Sequence, residues 1–300
     1  MVHKLNQTSQ KILREAQSGK IFLLDGATGT FLQNHGLSPG GSPEEFNESR
    51  PEIIKKMARS YFEAGSDMVL TNSFGGTIFR QGHYGYSDKV HLFNKLSAEH
   101  AVSQKPENGF VCGSIGPTGG FLEPLGEISK EEMSSAFLDQ IKALEAGGVD
   151  AVTIETMLDL EEAKVAIDAA RDHTELTVIV TMTFDKGPKG FFTMMGATPE
   201  YAARELSRSG AHIIGSNCGN GINNMIAIAS QMKNATDLPL LIHSNAGIPS
   251  LKSGEIMYPE DPAYMVEGFL KLRDTGVNII GGCCGTTPEH IKALSKALTE

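Results

Sequence analysis

One pattern recurs along the chain: a short β-branched apolar run, a turn rich in Gly, Thr or Asn, then a longer segment with helical periodicity. The apolar runs are Ile21–Asp25, Asp67–Thr71, Phe110–Ile115, Ala151–Glu155, Leu176–Phe184, His212–Asn217, Pro239–Ser244 and Val277–Gly281. Each is nearly continuous in Val, Ile and Leu rather than alternating, as expected for a strand buried on both faces of a parallel sheet. Between them, Pro51–Ala64 opens with Pro in its first helical turn and stops at Gly65. Ser129–Glu145 begins with a capping box, Ser129 and Glu132. Thr198–Ser209 and the last helix open alike, with Thr198-Pro199-Glu200 and Thr287-Pro288-Glu289.

Eight βα units with right-handed crossovers close most simply into a (β/α)₈ TIM barrel, an α/β fold. A doubly wound open sheet is the rival, but the composition has no break. The expectation is therefore one barrel domain over residues 1–300.

Composition narrows the function classes. The chain has 300 residues, 40% hydrophobic and 21% charged, which suits a large packed core. Its net charge of −10 and lack of basic runs argue against nucleic acid or an anionic membrane as partner. No apolar stretch approaches the ~18 residues of a membrane span. The polar, mildly amphipathic segment Met1 to Lys20 lacks a signal-peptide core, so a cytoplasmic location is expected. Four cysteines are too few for a disulfide scaffold.

In a barrel of this type the chemistry gathers at the C-terminal ends of the strands. Cys218 ends the sixth run, and Cys283 and Cys284 end the eighth. Alternate strands share a layer, so three thiolates can converge as a metal site with one open position, the catalytic form of a zinc site. Adjacent cysteines bridge poorly as a disulfide. The competing reading is that they are small buried hydrophobes, and for Cys112, inside the third strand without a partner, core packing is the expectation.

Asp25 and Glu155 stand at the mouths of the first and fourth strands. Such carboxylates can bind an ammonium, act as bases or cap a helix. The turn Gly26-Ala27-Thr28-Gly29-Thr30 offers free N–H groups suited to a carboxylate and lacks the Lys of a phosphate loop. An acidic side chain beside such donors matches the two charged ends of an amino acid. Asn217 and Asn245 can bind substrate, orient ligands or serve as turn residues. His243, on an apolar strand, reads as a satisfied core histidine, and the twelve Met residues read as core filling.

These motifs together resemble the homocysteine S-methyltransferase family, in particular the homocysteine-binding domain of cobalamin-dependent methionine synthases. The resemblance rests on Leu23–Thr30, Gly65-Ser66-Asp67 with Thr71–Gly75, Gly113–Gly119, Asn217-Cys218, Asn245-Ala246-Gly247 and Gly281–His290. It implies a (β/α)₈ barrel with zinc on Cys218, Cys283 and Cys284, and the homocysteine sulfur as fourth ligand. It further implies that Asp25 and Glu155 hold the amino group and that the backbone of Gly26, Ala27 and Thr28 holds the carboxylate. Asn245 matches a position that supplies an oxygen to zinc when substrate is absent. The chain departs from many relatives at Thr28, where a bulkier residue is common, and at Gly219, where Ser is frequent.

The implied activity is methylation of a zinc-held homocysteine thiolate to methionine. The motifs Ile115–Gly119 and Pro124-Leu125-Gly126 resemble the cobalamin-dependent branch, and Phe74-Gly75 stands where betaine-using relatives carry a Tyr. Since the eight units use the whole sequence and no Asp-x-His-x-x-Gly segment occurs, a separate methyl-corrinoid protein is the expected donor, at an open, lidless mouth. Betaine or S-methylmethionine as donor, or a sensor that binds zinc and homocysteine without turnover, are the alternatives.

Overall fold

In the computed structural model, which describes residues 3–219, 221–252 and 255–299, all eight expected runs form strands. They are β1 (Phe22–Leu23), β2 (Met68–Leu70), β3 (Phe110–Ile115), β4 (Ala151–Met157), β5 (Thr177–Met182), β6 (Ile213–Cys218), β7 (Leu240–Ser244) and β8 (Ile279–Gly282). Neighbours pair in parallel in the order β1-β8-β7-β6-β5-β4-β3-β2. The seam between β1 and β2 is closed by the Asp67 backbone N–H donating to Leu23 O at 2.7 Å, while the Asp67 carboxylate accepts from Leu23 N at 2.8 Å. The result is a nearly closed (β/α)₈ barrel. Of the range 1–300, Met1, Val2, Asn220, Ser253, Gly254 and Glu300 lie outside the described residues.

The helices start and stop where their capping residues stand. Lys130–Ala146 carries the Ser129/Glu132 capping box, with both reciprocal bonds made. Pro199–Arg208 is capped by the Thr198 side chain, and Pro51–Ala64 ends at Gly65 in left-handed backbone. The fifth run is shorter than expected: β5 stops at Met182, and the chain continues as a hairpin, Asp185–Gly187 against Gly190–Phe192. A second hairpin, Ser250–Lys252 against Glu255–Met257, follows β7. Neither is legible as apolar periodicity, because both are short and largely polar.

Apolar side chains segregate into two bodies. Phe22, Leu24, Met68, Leu70, Phe110, Cys112, Ala151, Ile179, Ile213, Leu241 and Ile279 fill the barrel interior, and Ile12 and Ala16 pack onto them. Those two residues belong to α1 (Gln7–Gln17), which therefore closes the N-terminal end of the barrel. The Ser9 hydroxyl fastens it there, donating to Asp150 O at 2.8 Å and accepting from Thr177 N at 2.9 Å. Cys112 is buried in this interior as expected, and burial pushes its thiol pKa up. The larger body lies between strands and helices. Among the described residues, no helix is long and apolar enough to cross a membrane.

A candidate metal centre at the barrel mouth

The C-terminal ends of the strands surround a cavity of about 420 Å³. Gly26, Ala27, Thr28, Glu155, Cys218, Cys283 and Cys284 all line it. The sulfurs of Cys218, Cys283 and Cys284 lie within 4.8 Å of one another, although β6 and β8 are separated by β7. Two local features bring them together. Cys218 ends β6 in left-handed backbone, φ 66°, a conformation that costs a non-glycine residue roughly 1–2 kcal/mol. Gly285 turns the chain after the pair at φ 82°, and the Tyr258 ring packs so closely on it that a Cβ would sit 2.1 Å from the ring.

The electrostatics of the cluster call for a cation. Thiol donation from Cys283 and Cys284 holds the Cys218 pKa down to about 3. The same hydrogen bonds push Cys283 and Cys284 up, the latter to about 11. Three thiolates this close would repel one another, and a cation among them would offset that repulsion. Three soft sulfur donors suit Zn²⁺ rather than a hard cation. Asn245 stands beside them: its N–H donates to Cys218 O at 3.3 Å and its amide to Gly219 O at 2.8 Å, while its Oδ1 is buried with no partner.

The carboxylates cap no helix. Asp25 is buried beneath the cavity, with Oδ2 accepting from Leu70 N at 2.8 Å and Oδ1 unpartnered. Burial raises its pKa well above the ordinary range, opposed by the Leu70 hydrogen bond, and Glu155 raises it further. Glu155 accepts from the Ser114 hydroxyl at 2.5 Å and from the Asn217 amide at 3.3 Å. Burial lifts it to about 7, against the Ser114 bond. Two such buried acids favour their charged forms only with a cation nearby.

Asn217 does not face the cavity. Its side chain is committed to Thr156, Thr181 and Glu155, so it acts on the site through Glu155. The backbone donors are unequal too. Ala27 N–H already bonds Thr286, to its hydroxyl at 3.2 Å and its carbonyl at 3.4 Å. Thr28 opens a short helix, Thr28–Gln33, with no side-chain cap.

Two residues escape the sequence reading. Glu44 is a buried carboxylate on the cavity wall that accepts from Gly75 N at 2.6 Å and from Ser42 and Gln81 at 3.0 Å, tying the loop after β1 to the loop after β2. In sequence, Pro43-Glu44-Glu45 looks like solvated surface. His243 is buried as expected of a core histidine, and burial pulls it down to about 3, yet its Nε2 has no partner. It lines the cavity instead of being satisfied in the core.

The model of the homocysteine S-methyltransferase family matches residues 22–298, which contain every one of these groups. The chain belongs to that family. Within that family it is 30% identical over 306 residues to the methionine synthase of Mycobacterium leprae (strain TN), and 30% over 312 residues to that of Mycobacterium tuberculosis (strain ATCC 25618 / H37Rv). Each alignment covers 95% of this chain but 25% of the relative, so the chain spans about a quarter of their length. Its fold matches the metallated form of the homocysteine methyltransferase MmuM from Escherichia coli, with TM-score 0.78, 21% identity, and coverage of 97% and 99% of the two chains.

Proposed function

We propose that this homocysteine S-methyltransferase-family barrel methylates homocysteine to methionine. The observation that carries the reading is the convergence of three cysteine sulfurs within 4.8 Å on a cavity that also exposes Glu155 and the Gly26-Ala27-Thr28 turn. In this reading Cys218, Cys283 and Cys284 hold zinc, Asp25 and Glu155 bind the substrate ammonium, and the turn receives its carboxylate. Asn217 keeps Glu155 in place, and the free Oδ1 of Asn245 is an oxygen donor beside the metal ligands.

A free thiol of pKa about 8.5 is only ~3% thiolate at pH 7. Zinc, when bound, supplies full deprotonation of the substrate sulfur at neutral pH, a gain of roughly thirtyfold in the reactive form. The three cysteine ligands more than offset the +2 charge and leave that sulfur electron-rich. Asp25 and Glu155 fix the amino-acid head and thereby aim the sulfur at the mouth. In the transfer, the sulfur–methyl bond forms as the donor–methyl bond breaks, and the thiol proton leaves to solvent.

We further propose that the methyl group comes from a separate methyl-corrinoid protein. The 30% identity to methionine synthases supports this, as do the apolar side chains exposed on loops around the mouth, Phe121, Leu125, Met194, Met195, Ile248 and Leu251. Phe74 lines the cavity, as does Tyr84. The test incubates protein, zinc and homocysteine in parallel with methylcobalamin, a methylated corrinoid protein, betaine and S-methylmethionine. Methionine is expected from a corrinoid. Rapid methionine formation from betaine or S-methylmethionine alone overturns the donor assignment, and none from any donor overturns the activity.

A further inference from the structure

A second hollow opens on the same face of the barrel as the sulfur cluster. It measures about 690 Å³ and lies between the loops that follow β3 and β5. The first turns of three helices, Lys130–Ala146, Leu160–His173 and Pro199–Arg208, contribute to its walls. It shares no lining residue with the thiol cavity.

The lining is apolar and acidic. Leu122, Leu125, Met195 and Tyr201 supply the apolar part. Leu125 is 74% exposed, and Met194, next in the chain to Met195, is 65% exposed. Single exposed apolar side chains are ordinary, but a contiguous set around one groove marks a contact surface. The charged part is one-sided: Glu123, Glu131, Asp159 and Glu161 stand against Lys130 alone. Glu161 pairs with Lys164 at 2.8 Å. Glu123, Glu131 and Asp159 have no ion-pair partner among the described residues.

These features select the occupant. An apolar face is needed to cover Leu125 and Met195, and cations are needed beside it to meet the carboxylates. A second copy of this chain, groove to groove, would bring the same carboxylates against each other, which is unfavourable. No strand lines the groove, so a partner cannot add to a sheet edge there. What remains is a helix laid in the groove, with apolar residues on one face and Lys or Arg along its borders. The flexible thioethers of Met194 and Met195 can adapt to the ridges of such a helix.

We propose that this groove is a docking site for a protein partner that presents a basic amphipathic helix. Because the two linings are separate, the occupant leaves the thiol cavity open, and the inference does not depend on which donor supplies the methyl group.

The test uses the full chain and a fluorescein-labelled Leu/Lys peptide of about 18 residues, patterned as an amphipathic helix. Two controls are a scrambled peptide of the same composition and a Leu/Glu counterpart. Fluorescence anisotropy should show saturable binding of the patterned Leu/Lys peptide, weaker binding of the scrambled one and none of the acidic one. The double variant Leu125→Ser, Met195→Ser should bind the patterned peptide roughly tenfold or more weakly, since it loses two apolar contacts. The charge reversal Glu123→Lys, Glu131→Lys should also weaken binding, and by less as salt is added. Zinc content and far-UV dichroism confirm that both variants fold. Absence of binding, equal binding of the scrambled peptide or unchanged affinity in both variants would each overturn the proposal. So would sedimentation showing a wild-type dimer that Leu125→Ser, Met195→Ser dissociates, because a second copy would then fill the groove.

Discussion

Asn217 and Thr156 pair twice: the Asn217 amide donates to Thr156 Oγ1 at 2.7 Å, and its Oδ1 accepts from Thr156 N, also at 2.7 Å. Thr156 sits at φ 61°, a strained conformation for a β-branched residue, directly after Glu155. The pair therefore stores local strain where it sets the direction of a buried carboxylate. Because the same amide also reaches Glu155, one side chain supports both the backbone turn and the acid.

Replacing it should be costly. Asn217→Leu, similar in volume, removes the partner of one Glu155 oxygen, of the Thr156 N–H and hydroxyl, and of the Thr181 hydroxyl, while Glu155 keeps its bond from Ser114. Leaving this set of buried polar groups unsatisfied predicts destabilisation of roughly 2–4 kcal/mol. Urea unfolding at neutral pH checks it, and an unchanged midpoint would show that the pairing contributes little.

The metal assignment makes a separate prediction. The double variant Cys283→Ala, Cys284→Ala should lose stoichiometric zinc while keeping its far-UV dichroism, since the packed interior of Phe22, Phe110, Ile213 and Ile279 holds the strands independently of the cluster. Elemental analysis of the purified protein decides it. One zinc per chain in this variant would refute the ligand set.

For the substrate head, Asp25→Ala and Glu155→Ala should each weaken homocysteine binding roughly ten- to hundredfold while zinc stays bound. Calorimetry with L-homocysteine measures the effect. Unchanged affinity in both variants would confine these acids to a structural role.

A pH effect should arise at the opposite end of the barrel. Val178 N–H donates to His212 Nδ1 at 3.0 Å, and His3 lies 3.4 Å from its Nε2. Burial, then the neighbouring His3 and Arg171, lowers His212 from 6.5 to about 4. Between these values the unfolded chain binds the proton more readily than the folded one, so stability is complete above about pH 6.5 and falls as pH drops through 4. The loss reaches up to about 3 kcal/mol. Because the raised carboxyls of Asp25 and Glu155 act with the opposite sign over the same range, the test is the difference between wild type and His212→Asn: urea midpoints at pH 7, 5 and 4 should show wild type losing stability relative to the variant as pH falls, and a pH-independent difference would refute it.

The eight strands and the main helices were legible in the sequence because each depends on local chemistry. Buried parallel strands need continuous Val, Ile and Leu, and helix starts such as Ser129 with Glu132 write their caps into neighbouring positions. The cysteine cluster was legible for a related reason: Cys218 and the Cys283-Cys284 pair end strands of one layer, and strand ends face one mouth. What remained hidden depends on contacts between residues far apart in the chain. That α1 plugs the barrel through Ile12 and Ala16, that Glu44 ties two loops together, and that Asn217 faces Thr156 rather than the cavity all follow from packing across elements.

His243 marks the boundary most clearly. The sequence places a histidine on a buried apolar strand, and burial is what the structure has. Whether its nitrogen finds a partner is set by strand register, which puts Gly281 beside it and Asp25 just beyond. Periodicity along one strand determines which face a side chain takes, and so the sequence by itself determined the barrel and the residues at its mouth. Only closure of the ring decides which polar atoms meet across it, because hydrogen bonds are satisfied between strands rather than along them.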